Sequence, residues 1–322
     1  MTQHRSTAPS RIAVLDDYLG IALGMAPWGS LDGMTVTVFR EPIGEEERLV
    51  AALAPFEIVC AMRERTPLPA SVLSRLPALR LLVTSGMQNA AIDLDAARAA
   101  GIVVCGTASS PAATAEMTWA LILAAARHVA VHDRGMREGA WQRHLGMGLA
   151  GRRLGVIGLG RNGSRVAQIG LALGMDVVAW SQNLTPERAA EVGVTSVTKD
   201  ELLATSEVVT IHLRLSERTA GLLDRAALAR MRPTAILVNT SRGPIVDEAA
   251  LLEALDARRI ALAALDVYDV EPLPVDHPFR RREDVLITPH TGYVTDENME
   301  RFYGQTVENI AAYLAGSPIR VL

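Results

Sequence analysis

Three residues that close apolar runs carry side chains a buried strand does not need. Arg242 follows "AILVNTS" and precedes Gly243, Glu271 follows "ALDVYDV", and His290 closes "VLITPH". In open α/β sheets, ligands bind in the crevice beyond the carboxyl ends of the strands. An arginine there offers a rigid, permanently charged fork that fits a carboxylate. A carboxylate beside an imidazole raises its pKa and fixes its tautomer, which keeps a proton at hand near neutral pH. Each residue taken alone has a plainer reading: a solvated strand-end charge, a turn acid before Pro272, a satisfied histidine. Together they match one chemical need. Reducing a 2-oxo acid takes a cation that holds the carboxylate and polarises the carbonyl, an acid that protonates the oxygen, and a group that orients that acid. Arg242, His290 and Glu271 fill these roles in that order, and the hydride must come from a cofactor.

The cofactor has its own signature. The apolar run 154–157 leads into Gly158-Leu159-Gly160-Arg161-Asn162-Gly163 and then a helical pattern. In this strand–turn–helix setting Gly158 permits a tight turn and Gly160 lets a pyrophosphate approach the backbone. Gly163 lets helix and strand pack closely, with the helix N-terminus facing the phosphates. Arg161 and Asn162 lie in the same turn. The next strand should end in an acid for the ribose 2′-hydroxyl, yet "DVVAWSQN" puts Ser181 there, followed by Asn183, while Asp176 opens the strand instead. Leu213 and Arg214, after "VVTIH", Thr240 in the turn before Arg242, and Asp266 at the end of "ALAALD" complete the expected cofactor surface. Asp266 has a second reading as a cap for backbone groups. NAD is the expected cofactor, with NADP left open because neither Ser181 nor Asn183 would repel a 2′-phosphate.

Positioning these residues takes strands that alternate with helices, the mark of parallel α/β layers. Strands are expected at 11–17, 36–41, 56–62, 79–86 and 102–107, and again at 154–160, 176–181, 208–213, 235–241, 261–268 and 285–290. A long helix is expected over roughly 112–140, others at 163–175, 221–231 and 247–258, and a last one at about 295–315. This gives an α/β chain of two lobes, Rossmann-like and flavodoxin-like, with an active-site cleft between them. The 322 residues suffice for two domains. A net charge of −4, from 32 basic and 36 acidic residues, with no basic cluster, argues against nucleic acid or an anionic membrane as partner. The polar start "MTQHRSTAPS" lacks the apolar core of a signal peptide, and the window "WALILAAARHVAV" is broken by Arg127 and His128. Cys60 and Cys105 sit in apolar runs, which fits small core residues in a reducing cytoplasm. The remaining histidines, His4, His128, His132, His144, His212 and His277, are read as structural or surface residues.

The motifs "LGVIGLGRNG", "LVNTSRGPIVDEAAL", "LDVYDVEPLP" and "LITPHTGY" give the chain its family resemblance. It resembles the D-isomer-specific 2-hydroxyacid dehydrogenases, which include D-lactate, phosphoglycerate and glyoxylate/hydroxypyruvate enzymes. The resemblance runs from about residue 56 to 315, and the family's catalytic arginine, glutamate and histidine fall on Arg242, Glu271 and His290. It implies a substrate-binding domain of 1–103 plus 293–322, a dinucleotide-binding domain of 104–292, and a homodimer. It also implies that the loop "TSGMQN" offers the amides of Gly86 and Met87 to a substrate carboxylate, and it makes Arg63 of "AMRERTPL" a pocket residue. Tyr18, Trp28, Met87 and Tyr293 are further pocket landmarks that could equally be core. The family usually has proline where Arg214 stands and often an acid where Ser181 stands. Two alternatives stay open: a phosphite-oxidising enzyme on the same scaffold, and a dinucleotide-sensing regulator without turnover. Formate oxidation is disfavoured, since relatives that use formate carry glutamine at the position of Glu271.

Overall fold

The computed structural model describes residues 10–110 and 112–322, so His4 lies outside the described residues. The chain divides into two compact units, Met1–Ser110 with Thr295–Leu322, and Pro111–Val294. The first contains a five-stranded parallel sheet of β1 (Ser10–Val14), β2 (Met34–Val38), β3 (Ile58–Ala61), β4 (Leu81–Thr84) and β5 (Val103–Gly106), in the order β2-β1-β3-β4-β5. β3 and β4 are buried throughout, as expected of strands covered on both faces, whereas the edge strand β2 has no fully buried residue. The helix Asp296–Leu314, capped by the Thr295 side chain on the amide of Asn298, returns to this unit. Within it the Asn309 side chain donates to the carbonyl of Gly106 at the end of β5.

The second unit holds a seven-stranded parallel sheet: β6 (Arg153–Ile157), β7 (Asp176–Trp180), β8 (Thr195–Ser196), β9 (Val208–Ile211), β10 (Ile236–Asn239), β11 (Leu262–Leu265) and β12 (Val285–Ile287). Their order is β12-β11-β10-β9-β6-β7-β8. Strand side chains alternate between faces, and two cores result. Leu237, Ala263 and Leu265 join one, while Ile236, Val238, Leu262 and Ala264 join the other. At about 1.5–3 kcal/mol for each fully buried aliphatic side chain, these cores fix where every strand ends, and therefore where the polar residues beyond begin.

Each expected strand is present but shorter, because the last polar residues of each run leave the sheet to build turns. β2 starts at Met34, two residues before the expected 36, and β8 is a two-residue edge that the sequence pattern did not reveal. The single long helix expected over 112–140 is corrected to two, Ala113–Ala126 and Val129–Arg137. The break falls at Arg127–His128, where His128 takes a left-handed backbone with φ of 51°. The first helix is largely buried, whereas the second has no buried residue. Continuing straight would have carried exposed polar positions onto an apolar helix line. Among the described residues no helix is long and apolar enough to cross a membrane.

Candidate active site

β6 delivers the glycine turn inside its sheet, with Ile157 in register with Trp180 on one side and Ile211 on the other. Gly158 has φ of +98°, and a Cβ on it would lie 2.7 Å from the carbonyl oxygen of His212 and 2.9 Å from a methyl of Leu213. A side chain on Gly163 would lie 1.9 Å from the carbonyl oxygen of Gly158, so only glycine lets the helix Arg161–Ala172 start this close to the turn. Gly160 differs. A Cβ there would meet nothing within 4 Å, and as N-cap it supplies no side chain to the first-turn amides. Those amides, on the helix's positive end, are what a pyrophosphate needs. The turn therefore fits a dinucleotide.

At the neighbouring strand end Ser181 is half-buried and Asn183 exposed. Asp176 is at the opposite end of β7, paired with Arg153 at 2.7 Å, and does not reach the ribose position. Arg214 is exposed, and its carbonyl accepts from the Thr219 hydroxyl.

β10 ends at Asn239, which organises the Arg242 turn. Its side-chain amide donates to the carbonyl of Arg242 at 2.9 Å and its oxygen accepts from the amide of Ser241 at 3.0 Å. The Ser241 hydroxyl donates back to Ile211 of β9, and the hydroxyls of Thr240 and Thr118 meet at 2.8 Å. Arg242 is half-buried, with one guanidinium nitrogen on the carbonyl of Ser241. One strand further on, past β11, Asp266 is fully buried and its carboxylate accepts from the Thr288 hydroxyl and the amides of Thr291 and Gly292. These bonds fold residues 288–292 around the acid and hold His290 in a left-handed conformation with φ of 52°. Asp266 thus serves as the backbone cap that was one of its two expected roles. Burial pushes its pKa above the ordinary value, against the bonds from Thr288 and the loop amides and the charge of His290.

His290 Nδ1 meets Glu271 Oε2 at 2.5 Å, with side chains 15% and 26% exposed. A short contact to a carboxylate requires Nδ1 to carry the proton, which leaves Nε2 as the outward nitrogen. Burial alone would raise the Glu271 pKa. The hydrogen bond and charge of His290, the amide of Tyr268 and the charge of Arg242 outweigh it, and the carboxyl titrates below its ordinary value. Arg242, Glu271 and His290 are therefore electrostatic neighbours. The ring of Tyr293 lies edge-on to His290, with centroids 5.6 Å apart.

In the five-stranded unit, Arg63 has φ of 53° and its amide donates to the Ser85 hydroxyl. A Cβ on Gly86 would lie 2.3 Å from Arg63 Nη1, so the guanidinium rests directly on that glycine. With φ of +95°, Gly86 turns its amide inward to the Thr107 hydroxyl at 2.9 Å. Met87 and Tyr18 are exposed, whereas Trp28 is core, its indole N–H on the carbonyl of Ala22. Tyr18 carries the Arg65 guanidinium 4.5 Å over its ring and donates to Asp16.

The other described histidines serve local structure. His212 bonds Thr210, and burial pushes its pKa down to about 4. The rings of His128 and His132 both pack on His144. His277 pairs with Glu248 at 2.9 Å, a contact between segments 29 residues apart that no local pattern announces. Sequence reasoning also missed Asn239 and Tyr268 as partners of the site; the signal for both was their place at or just past a strand end. No metal-ligating cluster occurs among the described residues.

Known proteins place the chain in a family. The family model described as "D-isomer specific 2-hydroxyacid dehydrogenase, NAD binding domain" matches residues 119–292. A D-3-phosphoglycerate dehydrogenase of Archaeoglobus fulgidus is 38% identical over 277 residues, covering 85% of this chain and 52% of that protein. A glyoxylate reductase of Aeropyrum pernix is 41% identical over 255 residues, 76% of each chain. The chain thus spans about half the length of the phosphoglycerate dehydrogenases it matches. Among solved structures, a phosphoglycerate oxidoreductase of Vibrio cholerae superposes with a TM-score of 0.90 at 36% identity, covering 96% of this chain and all of that one.

Proposed function

Given that the chain belongs to the D-isomer-specific 2-hydroxyacid dehydrogenase family, we propose that it is an NAD-dependent oxidoreductase interconverting a small 2-oxo acid and the corresponding D-2-hydroxy acid. The observation that carries this reading is the His290–Glu271 pair with the Arg242 charge beside it. The Arg242 fork holds the substrate carboxylate and draws electron density from the adjacent carbonyl. Glu271 stays ionised and fixes the His290 tautomer through Nδ1. His290 Nε2 gives its proton to the carbonyl oxygen in reduction and takes it back in oxidation. The nicotinamide cofactor, when bound, supplies or accepts the hydride. Gly158, Gly160, Gly163 and the first-turn amides at Arg161 and Asn162 hold its pyrophosphate. Ser181 and Asn183 face its adenosine ribose, and Leu213, Arg214, Thr240 and Asp266 complete its surface. Arg63 and the amide of Met87 serve the substrate. The protein acts as a homodimer, supported by the exposed apolar side chains of Val129, Met136, Trp141 and Leu145 in one segment.

The test is loss of reduced-nicotinamide absorbance with NADH and NADPH in parallel, against glyoxylate, hydroxypyruvate, pyruvate and bulkier 2-oxo acids. Turnover with any of them, faster with NADH, is the expected result. Cofactor binding without turnover on the whole panel would overturn it. Light scattering of the eluting protein checks the dimer.

A further inference from the structure

Tyr268, just past β11, touches the support of all three polar residues of the site. Its amide donates to Glu271 Oε1 at 3.0 Å, which leaves Oε2 for His290. Its phenol lies 2.7 Å from the carbonyl oxygen of Thr288 and 3.1 Å from that of Leu265. A phenol has one proton, and the shorter contact assigns it to Thr288. That same carbonyl accepts the backbone amide of His290 at 3.0 Å. The third contact is to the Arg242 turn: a Cβ on Gly243 would lie 2.1 Å from the carbonyl carbon of Tyr268 and 2.3 Å from its oxygen. The residue after Arg242 therefore lies flat on the Tyr268 peptide.

Resting on the catalytic reading above, we infer that Tyr268 is a positioning residue, whose hydroxyl and amide hold the Glu271–His290 pair in register with Arg242. A core-filling aromatic needs none of these polar contacts, and phenylalanine would fill the same volume. The hydroxyl is instead spent on the one carbonyl that also anchors the His290 backbone. Burial raises the phenol's pKa, with Asp266 and Glu271 adding to the effect, so it remains a donor throughout the working range. The left-handed conformation of His290 sharpens the need for such a brace, because a non-glycine residue with positive φ persists only where its surroundings hold it.

The discriminating variant is Tyr268→Phe, which keeps the ring and the amide and removes only the hydroxyl. Because displacements of about 1 Å cost up to roughly a hundredfold in rate, kcat should fall on the order of tenfold. The KM values for cofactor and 2-oxo acid should stay within about twofold. In ¹⁵N-labelled protein the His290 Nδ1 signal, which reports the hydrogen bond to Glu271, should move from its wild-type position. Lower thermal stability with unchanged kcat and ring signal would overturn the inference and leave Tyr268 as packing. If wild type turned over no substrate, the catalytic reading would fail by itself. The His290 ring signal would then still decide on Tyr268, with an unchanged signal overturning its role.

Discussion

The two sheets of this chain place their first strand alike and finish it differently. In each, that strand lies inside the sheet, β1 between β2 and β3, and β6 between β7 and β9. This is the arrangement that opens a crevice at the carboxyl end in doubly wound folds. After β6 comes glycine, and the first-turn amides of the following helix are left without a side-chain cap. After β1 come Asp16 and Asp17. Asp17 accepts from the amides of Ile21 and Ala22, and Asp16 accepts from the hydroxyls of Thr66 and Tyr18. The first crevice is thus occupied by the protein's own carboxylates, and the second offers bare amides to an anion. Topology supplies the place; the residues after the strand decide whether a ligand can use it.

The sharpest way to break this contrast is at the far end of the second sheet. His290→Ala should lower turnover about 10²- to 10⁴-fold, the range of a lost general acid, with cofactor affinity largely intact by fluorescence titration. Unchanged turnover would remove the chemistry from that strand end altogether.

The glycines come next. Gly163→Ala puts a methyl 1.9 Å from a backbone carbonyl and should cost about 1–3 kcal/mol of stability from overpacking, together with most of the NADH affinity. Gly29→Ala, in the turn region after β1, meets nothing within 4 Å and should change neither by more than about 0.5 kcal/mol. Loss of stability in Gly163→Ala with NADH affinity unchanged would mean that the turn after β6 is only structural.

Arg63→Ala separates the units by kinetic signature. An arginine lying on the Gly86 loop should act in binding, so KM for the 2-oxo acid should rise on the order of tenfold with kcat little changed. A fall in kcat with constant KM would instead place Arg63 with the reacting groups.

Much of this was legible in the sequence because it rests on local rules. Apolar β-branched runs announced the strands, and the Gly158–Gly163 spacing announced its turn through the sterics of a helix start. Arg242, Glu271 and His290 stood out as charges where buried strands end. What stayed hidden depends on contacts between distant segments. The break at His128 follows from which helix face has a core to meet, and no residue near it marks a stop as glycine or proline would. The inward amide of Gly86 depends on Thr107, a residue 21 positions away. Tyr268 meets the carbonyl that also accepts the His290 amide through a residue 20 positions away, which no local pattern marks.

The smallest expected effect is a difference of sign between two acids, one past a strand of each sheet. Burial raises the pKa of Asp16 above its ordinary 3.8, despite the Thr66 bond and the Arg65 charge. Its stabilising contribution is therefore present below 3.8 and is lost as pH rises through the folded value. Glu271 behaves oppositely. Its folded pKa lies below the ordinary 4.5, so its contribution is present above 4.5 and is lost as pH falls through the folded value. Asp16→Asn should accordingly gain in melting temperature, relative to wild type, on going from pH 4 to pH 8. Glu271→Gln should lose over the same interval, each by no more than about 4 °C for a chain of this size. Parallel melts of the two variants across that interval read the signs directly. Curves moving in the same direction would mean that the carboxylates after β1 are held as ionised partners, as Glu271 is, and that the two strand ends differ less than their geometry indicates.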